Sequence, residues 1–327
     1  MPTEWMGSGG LDESVCSPIA HSRKPQEAFM TPVDLVFSVC ASPDLDTWGV
    51  VSQHLQARIH ASSFRVIVPD HEVDLFVAHT SPGIRVIPES RYVGDFRDEL
   101  QKRLPASNQH RLGWYLQQMI KLVVLAELPA NPTALVWDAD TLPIHNLTFL
   151  TPTGQLRFFT SRENHAPYFA AIDRLLGMKK TVPFSFIAQC FPVQGLWVQE
   201  FIRVIEEKHQ QPWRSAILNT IDFSQKSGFS EYETLGTFFS QRYPRQVEFA
   251  HPRWLRRGNS RLGGIHRIES PFLRPIVARY RFIAFEGWDP VNRKPPWMIL
   301  LGWPFKILVD KAYHSIRWLM RVGRPSR

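Results

Sequence analysis

The stretch Thr133-Ala134-Leu135-Val136-Trp137-Asp138-Ala139-Asp140-Thr141 decides how this chain is read. Thr133 to Trp137 is a short run of β-formers and apolar residues, the pattern of a strand buried on both faces of a parallel sheet. Two carboxylates, Asp138 and Asp140, follow at once, separated by one small residue. Ligands of open α/β sheets bind outside the carboxyl ends of the strands. Two acids held together at that edge disfavour each other's charge unless a cation lies between them. A hard divalent ion with oxygen ligands, Mn2+ or Mg2+, suits such a pair, and these ions also hold substrate phosphates. The bland alternative is a solvated turn, since D-x-D also arises by chance.

Immediately upstream, apolar spacing predicts a helix from about His110 to Leu128, with Leu112, Leu116, Met119, Ile120, Val123 and Val124 as its stripe. Pro129 and Pro132 end it. Lys121 lies beside the stripe, seventeen positions before Asp138, and is expected to be exposed. Further back, Asp34–Val39, Phe64–Val68 and Ile84–Ile87 read as strands, with helices at Trp48–Ile59 and Glu72–His79. This β-α-β-α-β order implies a parallel, Rossmann-like half. Asp70, after the second strand, is a candidate for bonding a base or ribose; its alternative is a turn residue after Pro69. No G-x-G-x-x-G and no G-K-S/T follows any strand, so a dinucleotide fingerprint and a P-loop are both unsupported.

Downstream, Leu156–Thr160 reads as a strand and Phe184–Phe191 as another, lining an acceptor side with Gln189 and Gln194. Trp197–Glu207 has helical spacing. Ser230-Glu231-Tyr232-Glu233 opens a further helix, and Ser230 with Glu233 satisfies the S-x-x-E capping pattern, which leaves Glu231 the freer acid. Gln246–Ala250 is a late strand ending at His251; His266, after Gly263-Gly264, is the other late histidine.

The order of helix with cation, Pro-broken turn, apolar strand, D-A-D-T and then Asn146-Leu147 resembles the donor core of metal-dependent glycosyltransferases with the GT-A fold. The likeness is to the glycogenin-like and galactosyltransferase-like retaining families. The stretches F-S-E-Y-E-T-L-G (229–236) and F-I-A-F-E-G-W-D (282–289) also look like an uncharacterised bacterial family of D-x-D glycosyltransferase-like proteins. The resemblance implies an α/β, Rossmann-like GT-A fold with a mostly parallel central sheet. It implies a UDP-sugar or other nucleotide-sugar donor, and Mn2+ or Mg2+ on Asp138 and Asp140. Lys121 stands where those families place a donor-contacting Arg, which keeps the charge and loses the bidentate fork. Glu231 would face the acceptor or donor sugar, and His251, or its rival His266, would complete the cation's shell. The activity implied is hexosyl transfer to a glycan or lipid-linked acceptor in bacterial surface polysaccharide or glycoconjugate synthesis.

With 327 residues, 44% hydrophobic and 21% charged, the chain has enough apolar material for a substantial α/β core. Three widely spaced cysteines fit neither a disulfide framework nor a structural zinc site, and suit a reducing compartment. Neither a secretory signal nor an apolar run long enough to span a bilayer is visible. Residues 1–31 are aperiodic and read as a flexible leader, 32–290 as the catalytic domain, and 291–327 as a basic aromatic extension. Residues 252–327 hold 16 Lys/Arg against 4 Asp/Glu, whereas the whole chain carries +8. Within 304–321 an apolar face (Phe305, Leu308, Val309, Ala312, Ile316, Leu319, Met320) opposes one bearing Lys306, Arg317 and Arg321. Such a helix suits the inner face of a membrane, or docks on the domain, so a cytoplasmic and peripheral location is expected. No nucleic-acid partner is expected. The competing classes are a sugar-phosphate nucleotidyltransferase, whose Gly-rich basic loop after the first strand is missing, and a non-enzymatic basic membrane- or nucleic-acid-binding protein.

Overall fold

The computed structural model describes residues 32–303. The leader 1–31 and the amphipathic stretch 304–321 fall outside the described residues. The chain opens β1 (Leu35–Val39), α1 (Leu45–Arg58), β2 (Phe64–Val68), α2 (Val73–His79) and β3 (Ile84–Pro88). Helices α3 (Ser90–Val93), α4 (Phe96–Arg103) and α5 (Leu112–Ala126) then lead to β4 (Thr133–Trp137). After β5 (Thr141–Pro143) come β6 (Leu156–Phe159), α6 (Ala166–Leu176), β7 (Cys190–Gln194), α7 (Gly195–His209) and α8 (Trp213–Thr220). The last elements are α9 (Glu231–Arg242), β8 (Val247–Ala250), α10 (Gly258–Leu262), α11 (Arg274–Val277) and β9 (Phe282–Ala284). A final helical stretch covers residues 296–303.

The expected α/β architecture with a mostly parallel sheet is present. Five strands lie in the order β3-β2-β1-β4-β7, with β1–β2, β2–β3 and β1–β4 parallel and β7 antiparallel to β4. Burial on both faces explains the unbroken apolar runs. Along β1, Val36 faces one core with Trp48, Trp137 and Phe282, and Phe37 faces the other with Tyr115, Val136 and Phe191. Two small sheets, β5–β9 and β6–β8, flank the main one. The β1–β4 boundary is where strand order reverses, so the crevice beyond the ends of these two strands is the place for a ligand.

Several local readings change. Phe184–Phe191 is not one strand: β7 begins at Cys190, because Gln189 adopts a left-handed backbone (φ 62°) just before it. Helices α4, α6 and α8 lay outside the sequence reading, although Pro167 near the start of α6 and the left-handed Gly177 at its end are ordinary helix punctuation. Of the 15 residues of α5, 10 are buried, Lys121 among them, so Lys121 is not solvent-facing as its position beside the stripe suggested. The helix is enclosed on several sides, by β1, α4, α7 and α9, and a single stripe does not describe it. Within 296–303, Ile299 and Trp303 pack into the second core while Trp297, Met298 and Leu301 are exposed. Among the described residues no helix is long and apolar enough to cross a membrane.

Candidate active site

The D-A-D turn is held from three directions. The Thr141 amide donates to the Asp138 carbonyl (3.0 Å), closing the turn, and the Asp138 amide donates to the Gln189 carbonyl (2.9 Å). The Phe285 amide, just past β9, donates to the Asp140 carbonyl (2.8 Å). The buried indole of Trp137 donates to the Thr141 carbonyl (2.7 Å), so the last strand residue staples the turn that carries the acids. With its backbone groups committed, the turn presents its two carboxylates in a fixed arrangement.

These carboxylates line a cavity of about 430 Å³ at the ends of β1 and β4. The same cavity is lined by Asp44 from beyond β1, Lys121 and Gln118 from α5, Glu231 and Tyr232 from α9, Gln189, and Glu286 with Arg256 from the β9 side. Lys121 Nζ donates to Asp138 Oδ1 (2.6 Å), to Glu231 Oε1 (2.8 Å) and to the Tyr232 hydroxyl (3.3 Å). The Tyr232 hydroxyl in turn donates to Asp138 Oδ1 (2.6 Å). Burial alone would lower the Lys121 ammonium, but the charges of Asp138 and Glu231 override it and hold the group above its ordinary value. Burial raises the Glu231 carboxyl, and Lys121 opposes that rise. Gln118 Oε1 accepts from the Glu231 amide (3.1 Å), tying the start of α9 to α5.

The second acidic group is less well matched. Burial, then the charges of Asp138, Glu286 and Asp44, push the Asp140 carboxyl well above the carboxylate range. Asp44 is raised by burial and by Asp138 and Glu286. Among the described residues neither Asp44 nor Asp140 has an ammonium or guanidinium partner; Asp140 Oδ1 receives only the Thr141 hydroxyl (3.2 Å). Glu286 is clamped by Arg256, whose Nε and Nη2 donate at 2.9 and 3.2 Å, and Arg256 also pairs with Glu163. Six carboxylates and three cationic side chains line the cavity, so its wall carries an excess of negative charge that a cation would relieve. Among the described residues no three His, Cys, Asp or Glu side chains form a group able to enclose a metal ion. An ion at Asp138 and Asp140 would therefore take its remaining ligands from substrate oxygens and water, a common arrangement for Mg2+.

Of the sequence candidates, the structure brings together Asp138, Asp140, Lys121 and Glu231. Three others stand apart. Asp70 accepts from the Ser90 amide (3.0 Å) at the start of α3, a turn contact outside the cavity lining. His251 pairs through Nδ1 with the Thr160 hydroxyl and lies edge-on to Phe184 (5.3 Å), also outside the lining. His266 is exposed on a single 3-10 turn, Ile265–Arg267. The expected late histidine is thus not at the cavity; the late acid that lines it is Glu286. Glu233 is structural as expected, by a different route: Ser230 caps its amide (3.3 Å), while its carboxylate binds Lys180, Ser185 Oγ (2.7 Å) and the Phe186 amide (3.1 Å). Asp44 and Glu286 were missed as site residues. The rule that singles out Asp138, an acid past the carboxyl end of a buried strand, applies to Asp44 as well, and the structure places both strands side by side.

The profile of the family of unknown function DUF6492 matches residues 48–250. The chain belongs to this family. The family region contains Lys121, Asp138, Asp140, Glu163 and Glu231, and ends before Arg256 and Glu286. A search of curated proteins finds no match. Among solved structures, the chain is similar to the galactosyltransferase LgtC in complex with donor and acceptor sugar analogues, at 14% identity and a TM-score of 0.45, covering 80% of this chain and 90% of that one. It is also similar to mouse xyloside xylosyltransferase 1 in its apo form, at 10% identity and a TM-score of 0.42, covering 80% of this chain and all of that one.

Proposed function

We propose that this member of the DUF6492 family is a GT-A-type glycosyltransferase that moves a sugar from a nucleotide diphosphate, UDP in the first instance, to a glycan or lipid-linked acceptor. The observation that carries this reading is the fixed Asp138/Asp140 turn facing a polar cavity at the β1–β4 boundary, with the buried Lys121 paired to Asp138. Asp138 and Asp140 would hold Mn2+ or Mg2+, which when bound supplies Lewis-acid stabilisation to the departing diphosphate.

The chain's own residues do the rest. Lys121 is held by Asp138, Glu231 and Tyr232, so its ammonium is aimed before substrate arrives and stabilises developing negative charge without reorganisation. Glu231 spends Oε1 on Lys121, which leaves Oε2 to accept from a sugar hydroxyl. Gln189, lining the same cavity from a left-handed backbone, offers its amide to the sugar. In this reading the exposed Trp297, Met298 and Leu301, beside the basic carboxyl-terminal segment, bring the site to an anionic membrane surface where a lipid-linked or growing surface glycan is presented.

Titration calorimetry with UDP, with and without Mn2+, tests the core of the proposal. Tight binding only when both are present is expected, and Asp140→Ala should abolish it. Equal UDP affinity with and without metal, or in Asp140→Ala, would refute the site assignment.

A further inference from the structure

The cavity contains three cationic side chains, and two of them are already paired with carboxylates. Lys121 is paired with Asp138 and Glu231, and Arg256 with Glu163 and Glu286. Arg111 is the exception: among the described residues it has no carboxylate partner, and the titratable groups acting on it are the phenols of Tyr168 and Tyr115. Half-burial without a counter-ion pulls its guanidinium below the usual value. A cation left uncompensated in an otherwise acidic wall asks for an anion from outside.

Its orientation is fixed. Nε donates to the Lys226 carbonyl (2.9 Å) and Nη2 to the Ser227 hydroxyl (3.2 Å), while the guanidinium carbon lies 4.1 Å from the centre of the Trp114 ring. These bonds occupy one edge of the guanidinium and leave the Nη1/Nη2 edge available, the geometry that takes two oxygens of a carboxylate or phosphate. Trp114 also lines the cavity and offers an apolar face of the kind on which a sugar ring packs. Arg111 precedes Lys121 by ten residues, roughly 15 Å along the α5 axis at about 1.5 Å per residue. In the proposed reading Lys121 and the D-A-D turn take the donor's diphosphate, so an anion at Arg111, which enters the same cavity from the start of α5, is assigned to the acceptor.

We propose that Arg111, backed by Trp114, binds an anionic group carried by the acceptor, a carboxylate or a phosphate. The inference rests on the sugar-transfer reading for the word acceptor; the anion subsite itself does not.

The test uses three probes on the full chain: methyl glucuronide, glucose 6-phosphate and the neutral methyl glucoside. Their binding is followed by saturation-transfer NMR and calorimetry, with and without saturating UDP and Mn2+. Wild type should bind the charged probes at least tenfold more tightly than the glucoside. Arg111→Gln should bring all three to the glucoside level while leaving UDP affinity unchanged, and Arg111→Lys should keep part of the preference. Equal binding of charged and neutral probes by wild type, or a preference that survives Arg111→Gln, overturns the proposal. A loss of UDP affinity in Arg111→Gln assigns the residue to the donor and overturns it too. Should Arg111→Gln fail to fold, the Arg111→Lys variant and the salt dependence of the wild-type preference decide, since the preference must weaken as salt rises. If UDP and Mn2+ never bind while the charge preference stands, the sugar-transfer reading fails and the anion subsite remains.

Discussion

Lys121→Met is the most informative single change. In wild type the Lys121 side chain is 3% exposed and faces two carboxylates, Asp138 at 2.6 Å and Glu231 at 2.8 Å. Methionine keeps the apolar stem and removes the charge, so two acids remain near each other with no cation between them. Removing one partner of a buried ion pair costs about 3–5 kcal/mol. That exceeds the roughly 2.7–4 kcal/mol of a single lost electrostatic donor in catalysis only modestly, so the variant should show a stability defect as well as a rate defect. The pH dependence separates this account from a simple packing loss. Glu231 already has a raised carboxyl through burial, and the ammonium is what opposes that rise. Without Lys121 the Glu231 carboxyl rises further. An acid whose folded value lies above its unfolded value is best tolerated when protonated, and it destabilises the fold increasingly as pH climbs from the unfolded to the folded value. The lysine is raised in wild type, so its charge is constant from pH 5 to 8 and adds no slope there. The deficit of Lys121→Met, measured by urea denaturation, should therefore be large at pH 7.5 and smaller at pH 5. The double variant Lys121→Met/Glu231→Gln should recover part of it, because the second change removes the uncompensated charge. A deficit that is equal at both pH values, together with no recovery in the double variant, would refute the electrostatic argument.

Three further outcomes are expected. Asp140→Asn should stabilise the metal-free protein relative to wild type as pH rises from about 4 toward neutrality, because it removes a carboxyl that burial and its neighbours hold above the normal range; the same variant should lose the stabilisation that UDP and Mn2+ give wild type in thermal melts. Gln189→Gly relieves a left-handed backbone (φ 62°) worth about 1–2 kcal/mol but loosens the unfolded chain by about 0.5–1 kcal/mol, so it should change stability by less than about 1 kcal/mol and lower turnover; unchanged turnover would remove Gln189 from the sugar site. A chain ending after Trp303 keeps Ile299 and Trp303 in the core and should float less with anionic vesicles than the full chain, with a difference that shrinks in high salt; identical flotation would remove residues 304–327 from the membrane role, and no flotation of either chain would remove that role altogether.

Much of the fold was legible because it depends on patterns that survive in a single sequence. Leu35–Val39, Phe64–Val68 and Thr133–Trp137 are fully apolar or nearly so because both faces of the sheet are covered, and a proline stands at or near one end of each. The position of the D-A-D turn was legible for the same reason, since it directly follows a strand buried along its whole length. What was not legible is distance across the chain. Lys121 was placed beside a stripe, but its environment is set by α9, 110 residues later, which supplies Glu231. Helical periodicity describes a helix with one wet face, and α5 has none over its second half.

The same limit explains the late histidine. His251 follows a strand and so looks like a ligand, yet that strand, β8, pairs with β6 in a side sheet and not with the strands that end at the cavity. Glu286 reaches the cavity because β9 runs antiparallel to β5, the strand that directly follows the D-A-D turn, and the Phe285 amide bonds the Asp140 carbonyl. Which late residue faces the aspartates is thus fixed by strand pairing near the turn. Pairing of β5 with a strand about 140 residues away leaves no local mark: Thr141–Pro143 and Phe282–Ala284 are three residues each, too short for alternation to show. Asp44 is different in kind. It lies five residues past β1, the strand next to β4 in the sheet, and its carboxyl is raised by burial and then by Asp138. Asp44, Asp70 and Asp138 all follow strands in the amino-acid order, and only the pairing of β1 with β4 separates the two that line the cavity from Asp70, which accepts from the Ser90 amide in a turn.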